Sequence, residues 1–226
     1  MDLQKAAAAW GITLSPDQMQ QYDRYYRLLV EWNERFNLTA LTARDEVYAK
    51  HFLDSLAGLG FMHGKVCDVG AGAGFPSLAL AIADKSVDYT LLDSVNKKVN
   101  FLLAVKDELH LDNTRPVHVR AEDAGRGQMR ETFDVVTARA VAPIGTLLEY
   151  LCPLAKVGGQ VVVYKTNAVE ERALASRAVG VFKLEEIACF EYEIEEAKRC
   201  VLVYRKTAAT PRQYPRGGNK PRTMPL

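Results

Sequence analysis

The chain has 226 residues, of which 48% are hydrophobic and 25% are charged, and its formal net charge is +1. This length supports one sizeable core but is short for two complete domains, so we expect one main domain with appendages. The net charge gives no global sign of nucleic-acid binding, so any basic surface must be local. No apolar run could span a bilayer and residues 1–10 do not resemble a signal peptide, so we expect a cytoplasmic protein without membrane contact. The four cysteines are scattered without a C-x-x-C pair and are expected to be reduced.

Two amphipathic helices are predicted before the first strand. Ser15–Gln18 has the sequence of a capping box with proline at the first helical position, and apolar residues recur at helical spacing to about Asn37. A second helix begins at Thr42, has acidic residues in its first turn and is expected to run to about Gly58. Residues 1–60 are therefore predicted to form an N-terminal helical cap.

Two polar residues of this cap are candidates for a functional role. His51 and Asp54 are three residues apart, so they share one helical face and can contact each other. A surface His–Asp pair is the ordinary interpretation of this spacing, and a catalytic role is the alternative. A metal site would need a third ligand, which is absent nearby in the sequence, so no metal is expected.

A glycine-rich turn follows the first predicted strand, in the stretch VCDVGAGAGF at residues 66–75. Its glycines allow positive φ angles and the close approach of another molecule to the backbone. Pro76 stands at a plausible first helical position, so strand, turn and helix together should present backbone N–H groups to a crevice. The stretch is therefore predicted to form the floor of a cofactor site.

The glycine spacing indicates which cofactor. A dinucleotide fingerprint would need its third glycine at position 75, which is Phe75. The pattern D-x-G-x-G-x-G, from Asp68 to Gly74, resembles instead motif one of the class I methyltransferases that bind S-adenosylmethionine (SAM). The second predicted strand, residues 88–92, ends at Asp93, where a carboxylate can accept hydrogen bonds from ribose hydroxyls. Ser94 is predicted to cap the next helix.

The remaining chain alternates strands with helices and closes with a hairpin. Further strands are predicted at residues 116–119, 133–137, 160–164 after a Gly158-Gly159 turn, 181–192 and 199–205. This pattern predicts an α/β fold with a mostly parallel sheet and an antiparallel strand at one side. It matches the seven-stranded, Rossmann-like sheet of class I SAM-dependent methyltransferases, with helices on both faces, and residues 61–206 are assigned to this core.

Residues 207–226 form a basic, proline-rich tail without any acidic residue. This composition is predicted not to pack a core, so a solvated tail is one interpretation. The alternative is that its arginines and Tyr214 follow a phosphate backbone.

Several separate motifs carry a resemblance to one family. They are Asn37–Ala40, His51–Leu56, Asp68–Pro76, Leu92–Ser94 with Lys97, Lys98, Phe101 and Leu102, Arg120–Glu122, Thr137–Ala142, Thr210–Pro211 and Tyr214–Arg216. From about residue 30 to the C-terminus, the chain resembles the RsmG (GidB) family, whose members methylate N7 of one guanine in the decoding region of bacterial 16S rRNA, guanine 527 in the family's usual numbering. Two departures stand out, Ser77–Ala79 in place of glycine then proline, and Gly217-Gly218 in place of a basic residue.

The resemblance implies SAM as cofactor and 16S rRNA, or the small ribosomal subunit, as partner. By position, Gly70 and Phe75 line the SAM pocket, Ala121-Glu122 lies against the adenosine and Arg139 reaches the reacting end. The general class I pattern adds Asp68, Gly72, Gly74 and Asp93 to the cofactor site. The candidates for positioning the guanine are His51, Asp54 and Lys165, and those for binding RNA are Lys97, Arg212, Tyr214, Arg216, Lys220 and Arg222.

The chemistry of N7 methylation agrees with a sequence that has no recognisable metal site. Guanine N7 bears no hydrogen and offers a lone pair, so in-line attack on a sulfonium methyl needs neither a metal nor a general base. Positioning two reactants is worth roughly 7 to 11 kcal/mol in favourable cases. The alternatives left open are a methyltransferase acting on another RNA or a small molecule, a nicotinamide dehydrogenase and a non-catalytic RNA-binding module. A monomer is expected.

Overall fold

The computed structural model describes residues 1–139 and 142–226. Seven strands form one sheet: β1 (Lys65–Val69), β2 (Asp88–Asp93), β3 (Thr114–His118), β4 (Phe133–Arg139), β5 (Ala155–Lys165), β6 (Leu184–Ile194) and β7 (Ala197–Lys206). Their order is β3-β2-β1-β4-β5-β7-β6. The first five pair in parallel, whereas β7 is antiparallel to both β5 and β6. The predicted class I fold, a mostly parallel seven-stranded sheet, is therefore confirmed.

Several predicted boundaries are wrong. Gly158 and Gly159 lie inside β5, where the register against β4 shifts between Phe133 and Val135, so they form an irregularity within the strand rather than a turn before it. The residues at 181 and 182 belong to a helix, and β6 begins only at Leu184.

Helices of the N-terminal part precede β1. They are α1 (Leu3–Ala8), α2 (Pro16–Asn33), α3 (Arg44–Val47), a π-helical segment (Tyr48–Leu53), α4 (Asp54–Leu56) and a 3-10 turn (Leu59–Phe61). The capping box forms as predicted, with Ser15 Oγ accepting from the Gln18 N–H and Gln18 Oε1 accepting from the Ser15 N–H. Helix α2 ends at Asn33 rather than near Asn37, and α1, capped by Asp2, was not predicted.

The later helices connect the strands. They are α5 (Ser77–Ala83), α6 (Asn96–Leu109), α7 (Ala121–Arg126), α8 (Ile144–Leu151), α9 (Ala168–Phe182) and α10 (Lys220–Thr223). Pro76 directly precedes α5 rather than being its first helical residue. The predicted Ser94 cap is wrong, because α6 begins after Val95 without a side-chain cap and Asp93 accepts the Val95 N–H at 2.8 Å.

Two apolar cores cover the two faces of the sheet. Adjacent strand residues point to opposite faces, so Val66 joins one core and Cys67 the other. The N-terminal helices pack with α5 and α6 on the first face, and α8 and α9 pack on the second. The structure contains the four cysteines as free thiols, with Cys67, Cys152 and Cys200 buried and Cys189 partly exposed.

The C-terminal tail, residues 207–226, packs against the second face, so the prediction that it cannot pack is wrong. Arg130 donates to the carbonyls of Thr210 and Tyr214 at 2.8 and 2.9 Å, and Tyr214 packs edge-on against Phe182. Pro215 and Pro221 are buried. The tail has few apolar residues of its own, but arginines of the body satisfy its carbonyl groups, which removes the main cost of burying such a backbone.

None of the described helices combines the length and the apolar character needed to cross a bilayer.

Candidate active site

A cavity of about 530 Å³ opens at the carboxyl ends of β1, β2 and β4. It lies where the strand order reverses on either side of β1, the usual ligand crevice of an open parallel sheet, and its volume is typical of small-ligand sites. Its walls come from the glycine turn, the segments after β2 and β3, the end of β4, the N-terminal region, α8 and the tail. The side chains that matter below are Thr39, His51, Phe75, Asp93, Lys98, Glu122, Arg139, Tyr150 and Arg222.

The glycine turn shapes the floor of this cavity. Gly70, Gly72 and Gly74 have φ angles of 73°, 59° and 89°, which L side chains rarely adopt. However, the N–H groups of Gly70 and Ala71 donate to Leu92 O at 2.8 and 3.0 Å, and that of Gly72 donates to Asp93 Oδ2 at 3.0 Å. The prediction that the turn presents its N–H groups to the crevice is therefore wrong at these positions. Because these N–H groups already donate within the protein, they are not free to bind a pyrophosphate, which needs such donors.

Gly74 has a packing role at the edge of the turn. A Cβ there would lie 2.4 Å from Tyr25 Oη and 2.5 Å from Leu78 Cδ1, and Tyr25 Oη donates to Ala73 O at 2.5 Å. Gly74 is not among the residues that line the cavity. Its missing side chain lets Tyr25 of α2 dock against the turn, so the N-terminal region supports the floor of the site directly.

The two predicted acids of the cofactor site have different positions. Asp68 is fully buried beneath the turn, outside the cavity lining, and its Oδ2 accepts the Ser77 N–H at 3.3 Å. Burial raises the pKa of Asp68 to about 7. Asp93 lines the cavity, and its two oxygens accept the N–H groups of Gly72 and Val95. Asp68 therefore ties the end of β1 to the start of α5, whereas Asp93 can contact a ligand.

One side wall is formed by the segment after β3. Ala121 and Glu122, the predicted adenosine contacts, both line the cavity, and Glu122 is 7% exposed. Arg120 approaches the Glu122 carboxylate at 3.4 Å. Tyr150 of α8 and Arg222 of the tail complete this wall. Sequence reasoning assigned Arg222 to RNA and missed that the folded tail brings it to the cavity.

Arg139, at the end of β4, joins the sheet to the π-helical segment. Its Nη1 donates to Lys50 O at 2.9 Å and to Asp54 Oδ2 at 2.7 Å, while its Nη2 donates to His51 Nδ1 at 2.9 Å. The guanidinium lies 5.1 Å from the centroid of the Phe75 ring. The predicted contact between His51 and Asp54 is therefore made through Arg139 rather than directly. Short π-helical segments are frequent at functional sites.

His51 is neutral in this environment. Its ring stacks on Phe75 with centroids 4.4 Å apart, and its Nε2 lies 2.9 Å from Thr39 Oγ1. Burial, together with the charge of Arg139, lowers the pKa of His51 to about 3. Asp54 is buried but does not line the cavity, and Tyr192 Oη donates to its Oδ1 at 2.8 Å. His51 thus borders the cavity and Asp54 supports Arg139 from behind.

Other predicted residues lie away from the cavity. Lys165 Nζ donates to Ala142 O at 2.7 Å and pairs with Glu171 at 3.2 Å, so it anchors the start of α9. Lys97 is exposed and lies over the Phe36 ring, whereas its neighbour Lys98 lines the cavity. Positions 140 and 141, part of the motif that follows Thr137, lie outside the described residues.

The basic residues of the tail divide into two groups. Arg216 forms an ion pair with Glu149, a carboxylate with no exposed surface, at 2.6 Å, and Tyr214 packs within the protein. Arg212 and Lys220 are exposed. Among the residues that the structure describes, no cluster of three or more His, Cys, Asp or Glu side chains is placed to hold a metal ion.

Comparison with known proteins identifies relatives over almost the whole chain. The family model of rRNA small subunit methyltransferase G, GidB, matches residues 18–199. The ribosomal RNA small subunit methyltransferase G of Bacillus subtilis (strain 168) is 43% identical, over 96% of this chain and 94% of that protein. The protein of the same name from Exiguobacterium sibiricum is 46% identical, over 98% and 96%.

Solved structures share the fold at low sequence identity. A SAM-dependent methyltransferase from Aquifex aeolicus aligns with a TM-score of 0.55 and 17% identity, covering 74% of this chain and 96% of that one. The precorrin-6y C5,15-methyltransferase of Geobacter metallireducens aligns with a TM-score of 0.53 and 14% identity, covering 69% and 88%. With the family match and the closer relatives, these findings lead to one conclusion: the chain belongs to the rRNA small subunit methyltransferase G (GidB) family and has the class I methyltransferase fold.

Proposed function

We propose that this chain transfers a methyl group from SAM to N7 of one guanine in 16S rRNA, guanine 527 in the family's usual numbering. The observation that carries the proposal is a ligand-sized cavity at the switch point of the sheet, in a chain whose family match covers residues 18–199. The relatives' names support small-subunit rRNA as the substrate. The choice of N7 rests on the family resemblance and on the chemistry of the site.

The cavity fits SAM better than a dinucleotide. SAM has no phosphate, so it does not need the N–H groups of the turn that already donate to Leu92 and Asp93. Asp93 and Glu122 offer carboxylate oxygens for the hydroxyl and amino groups of an adenosine, and their negative charge favours a cationic ligand. When bound here, SAM would supply an electrophilic methyl on its sulfonium sulfur.

The chain's own residues are suited to hold reactants rather than to transfer protons. His51 and Arg139 fix each other on one wall, beside Phe75. A histidine whose pKa is lowered to about 3 carries no dissociable second proton at neutral pH, so it cannot act there as a general acid. Guanine N7 has no proton to remove, so the transfer requires no general base either. Orientation is then the main contribution of the site.

RNA binding is assigned to exposed cationic side chains. Lys97, Arg212 and Lys220 form no ion pair within residues 1–139 and 142–226, so their charges are available to phosphates. Arg222 can serve either the cavity wall or the RNA. Arg216, in contrast, already pairs with Glu149.

The direct test is transfer of labelled methyl from SAM to separated rRNAs and to small-subunit particles, followed by mapping of the modified base. We expect label in 16S rRNA alone, as 7-methylguanosine at a single position. Asp93→Asn should lower SAM affinity and transfer, whereas Lys165→Met, outside the cavity, should leave SAM affinity unchanged. Label on another RNA, on a small molecule or on a different atom would contradict the proposal.

A further inference from the structure

Three side chains from three segments form a hydrogen-bonded chain along one cavity wall, and the order of its protons can be deduced. The Arg139 guanidinium can only donate, so His51 Nδ1, 2.9 Å from Nη2, must accept. The ring is neutral because burial and the neighbouring charge lower the pKa of His51. Its single proton is therefore on Nε2, which donates to Thr39 Oγ1 at 2.9 Å.

Thr39 is thereby restricted to donating. A hydroxyl has one proton and two lone pairs. One lone pair of Thr39 Oγ1 accepts from His51, and the other accepts the Leu41 N–H at 3.1 Å. Within residues 1–139 and 142–226, the structure contains no hydrogen bond that uses the remaining proton. Since Thr39 lines the cavity, this proton is available to a bound molecule.

We propose that the Thr39 hydroxyl donates to O6 of the target guanine and thereby selects guanine over adenine, an assignment that rests on the proposed N7 transfer. Guanine presents two acceptors side by side, N7 and O6, whereas adenine presents the N7 acceptor beside an amino donor. A hydroxyl with a free lone pair could turn to accept from that amino group. Thr39 cannot, because His51 and Leu41 occupy both of its lone pairs.

His51 and Arg139 are positioning residues in this proposal. Reversal of the His51 tautomer, with the proton on Nδ1, would force Thr39 to donate its hydroxyl proton to Nε2. No proton would then remain for a hydrogen bond to the guanine. Arg139 prevents that reversal because two donors cannot face each other at 2.9 Å. The contact that holds β4 to the π-helical segment therefore also sets the polarity of the base-reading group.

The test compares wild type, Thr39→Val and Thr39→Ser on rRNA fragments that carry guanine, 2-aminopurine or adenine at the target position. 2-Aminopurine keeps N7 but lacks O6. Single-turnover rates at saturating SAM should fall roughly ten- to a hundredfold for Thr39→Val on guanine, and by a similar factor for wild type on 2-aminopurine. Thr39→Val should show no further loss on 2-aminopurine and weaker discrimination against adenine. Thr39→Ser should retain the wild-type pattern, and SAM affinity by calorimetry should be the same in all three.

Three outcomes would overturn the assignment. Equal losses for Thr39→Val on guanine and on 2-aminopurine would mean that Thr39 has only a structural role. Loss of SAM affinity in Thr39→Val would place the acceptor on the cofactor, most simply its carboxylate. Absence of any N7 transfer to guanine by a wild-type protein that binds SAM would overturn the proposed function, and this assignment with it.

Discussion

The N-terminal region, residues 1–61, and the C-terminal tail, residues 207–226, both reach the same cavity, but different forces hold them to the sheet. The first docks mainly through buried aromatic rings, with Phe52 within 5.0 to 5.8 Å of its ring neighbours by centroid distance, in addition to the Arg139–Asp54 ion pair. The second docks through charge and backbone carbonyls, above all Arg216 on Glu149. Apolar packing is insensitive to charge, whereas the tail depends on individual polar contacts.

The largest expected loss of stability comes from removing a ring of the aromatic cluster that holds the N-terminal region. Phe52→Ala removes a fully buried ring that contacts Tyr22, Tyr25 and Phe75, so it should lower the free energy of unfolding by about 3 to 5 kcal/mol. Urea denaturation measures the change. Leu103→Ala, at an exposed position of α6, is the control and should stay within about 0.5 kcal/mol of wild type. Similar losses in the two variants would mean that the ring cluster does not hold the N-terminal region.

Removal of the tail's main cation should come next. Arg216→Ala leaves the Glu149 carboxylate buried without its partner, so we expect a loss of about 3 kcal/mol in unfolding free energy and detachment of the tail. Limited proteolysis after residue 206 and urea denaturation would report the two effects. Arg212→Ala, four residues away and exposed, serves as the matched control with little change expected. A protease-resistant Arg216→Ala tail would show that other contacts suffice.

A pH experiment sharpens the comparison, because the N-terminal region contains a half-buried histidine. The pKa of His51 is lowered in the folded protein from 6.5 to about 3, so between these values the unfolded chain binds the extra proton. Stability from this group is therefore lost as pH falls from about 6.5 towards 3. The difference in unfolding free energy between wild type and His51→Asn should grow by about 3 kcal/mol from about pH 4 to about pH 7. Taking the difference cancels the opposite contribution of Asp68, whose pKa is raised. A difference independent of pH would contradict the neutral state of His51 in the folded protein.

A smaller effect is expected where the tail meets the cavity. Arg222 completes one wall of the cavity and is exposed. Arg222→Ala removes this part of the wall, and the lost contact should weaken SAM binding roughly two- to fivefold without changing stability. Calorimetry with SAM measures it, and Lys220→Ala, in the same short helix but outside the cavity lining, is the control. Equal affinities for both variants and wild type would assign Arg222 to RNA alone.

The smallest expected effect concerns the exposed cations. Each true phosphate contact among Lys97, Arg212 and Lys220 should reduce the slope of log affinity against log salt by about 0.7 to 0.9 when it is neutralised. SAM affinity should be unaffected. Salt titrations of RNA binding by single glutamine variants would identify the contacts, and an unchanged slope would exclude that residue.

Local patterns determined the sheet and the floor of the site. Periodicity, capping residues and the spacing of glycines act over a few residues. The order of the strands along the chain, the positive φ angles of Gly70, Gly72 and Gly74, and the position of Asp93 at the end of β2 could therefore be predicted from the sequence. The motif that includes Asn37–Ala40 marked the loop of Thr39 but gave no role to that residue. The free hydroxyl proton of Thr39 could be deduced only after its two hydrogen-bond partners, His51 and Leu41, were known.

Tertiary structure decided which polar groups remain available, because each is consumed or freed by partners far away in the chain. The turn's N–H groups are taken by Leu92 and Asp93. His51 and Asp54 meet across Arg139, more than 80 residues later, and Arg216 finds Glu149 at a separation of 67 residues. A carboxylate such as Glu149, buried in α8, is visible in the sequence only as one more acidic residue. The sequence by itself thus determined the fold and the family motifs, while long-range pairing of charges and hydrogen bonds decided the tail's position and the proton order at the cavity wall.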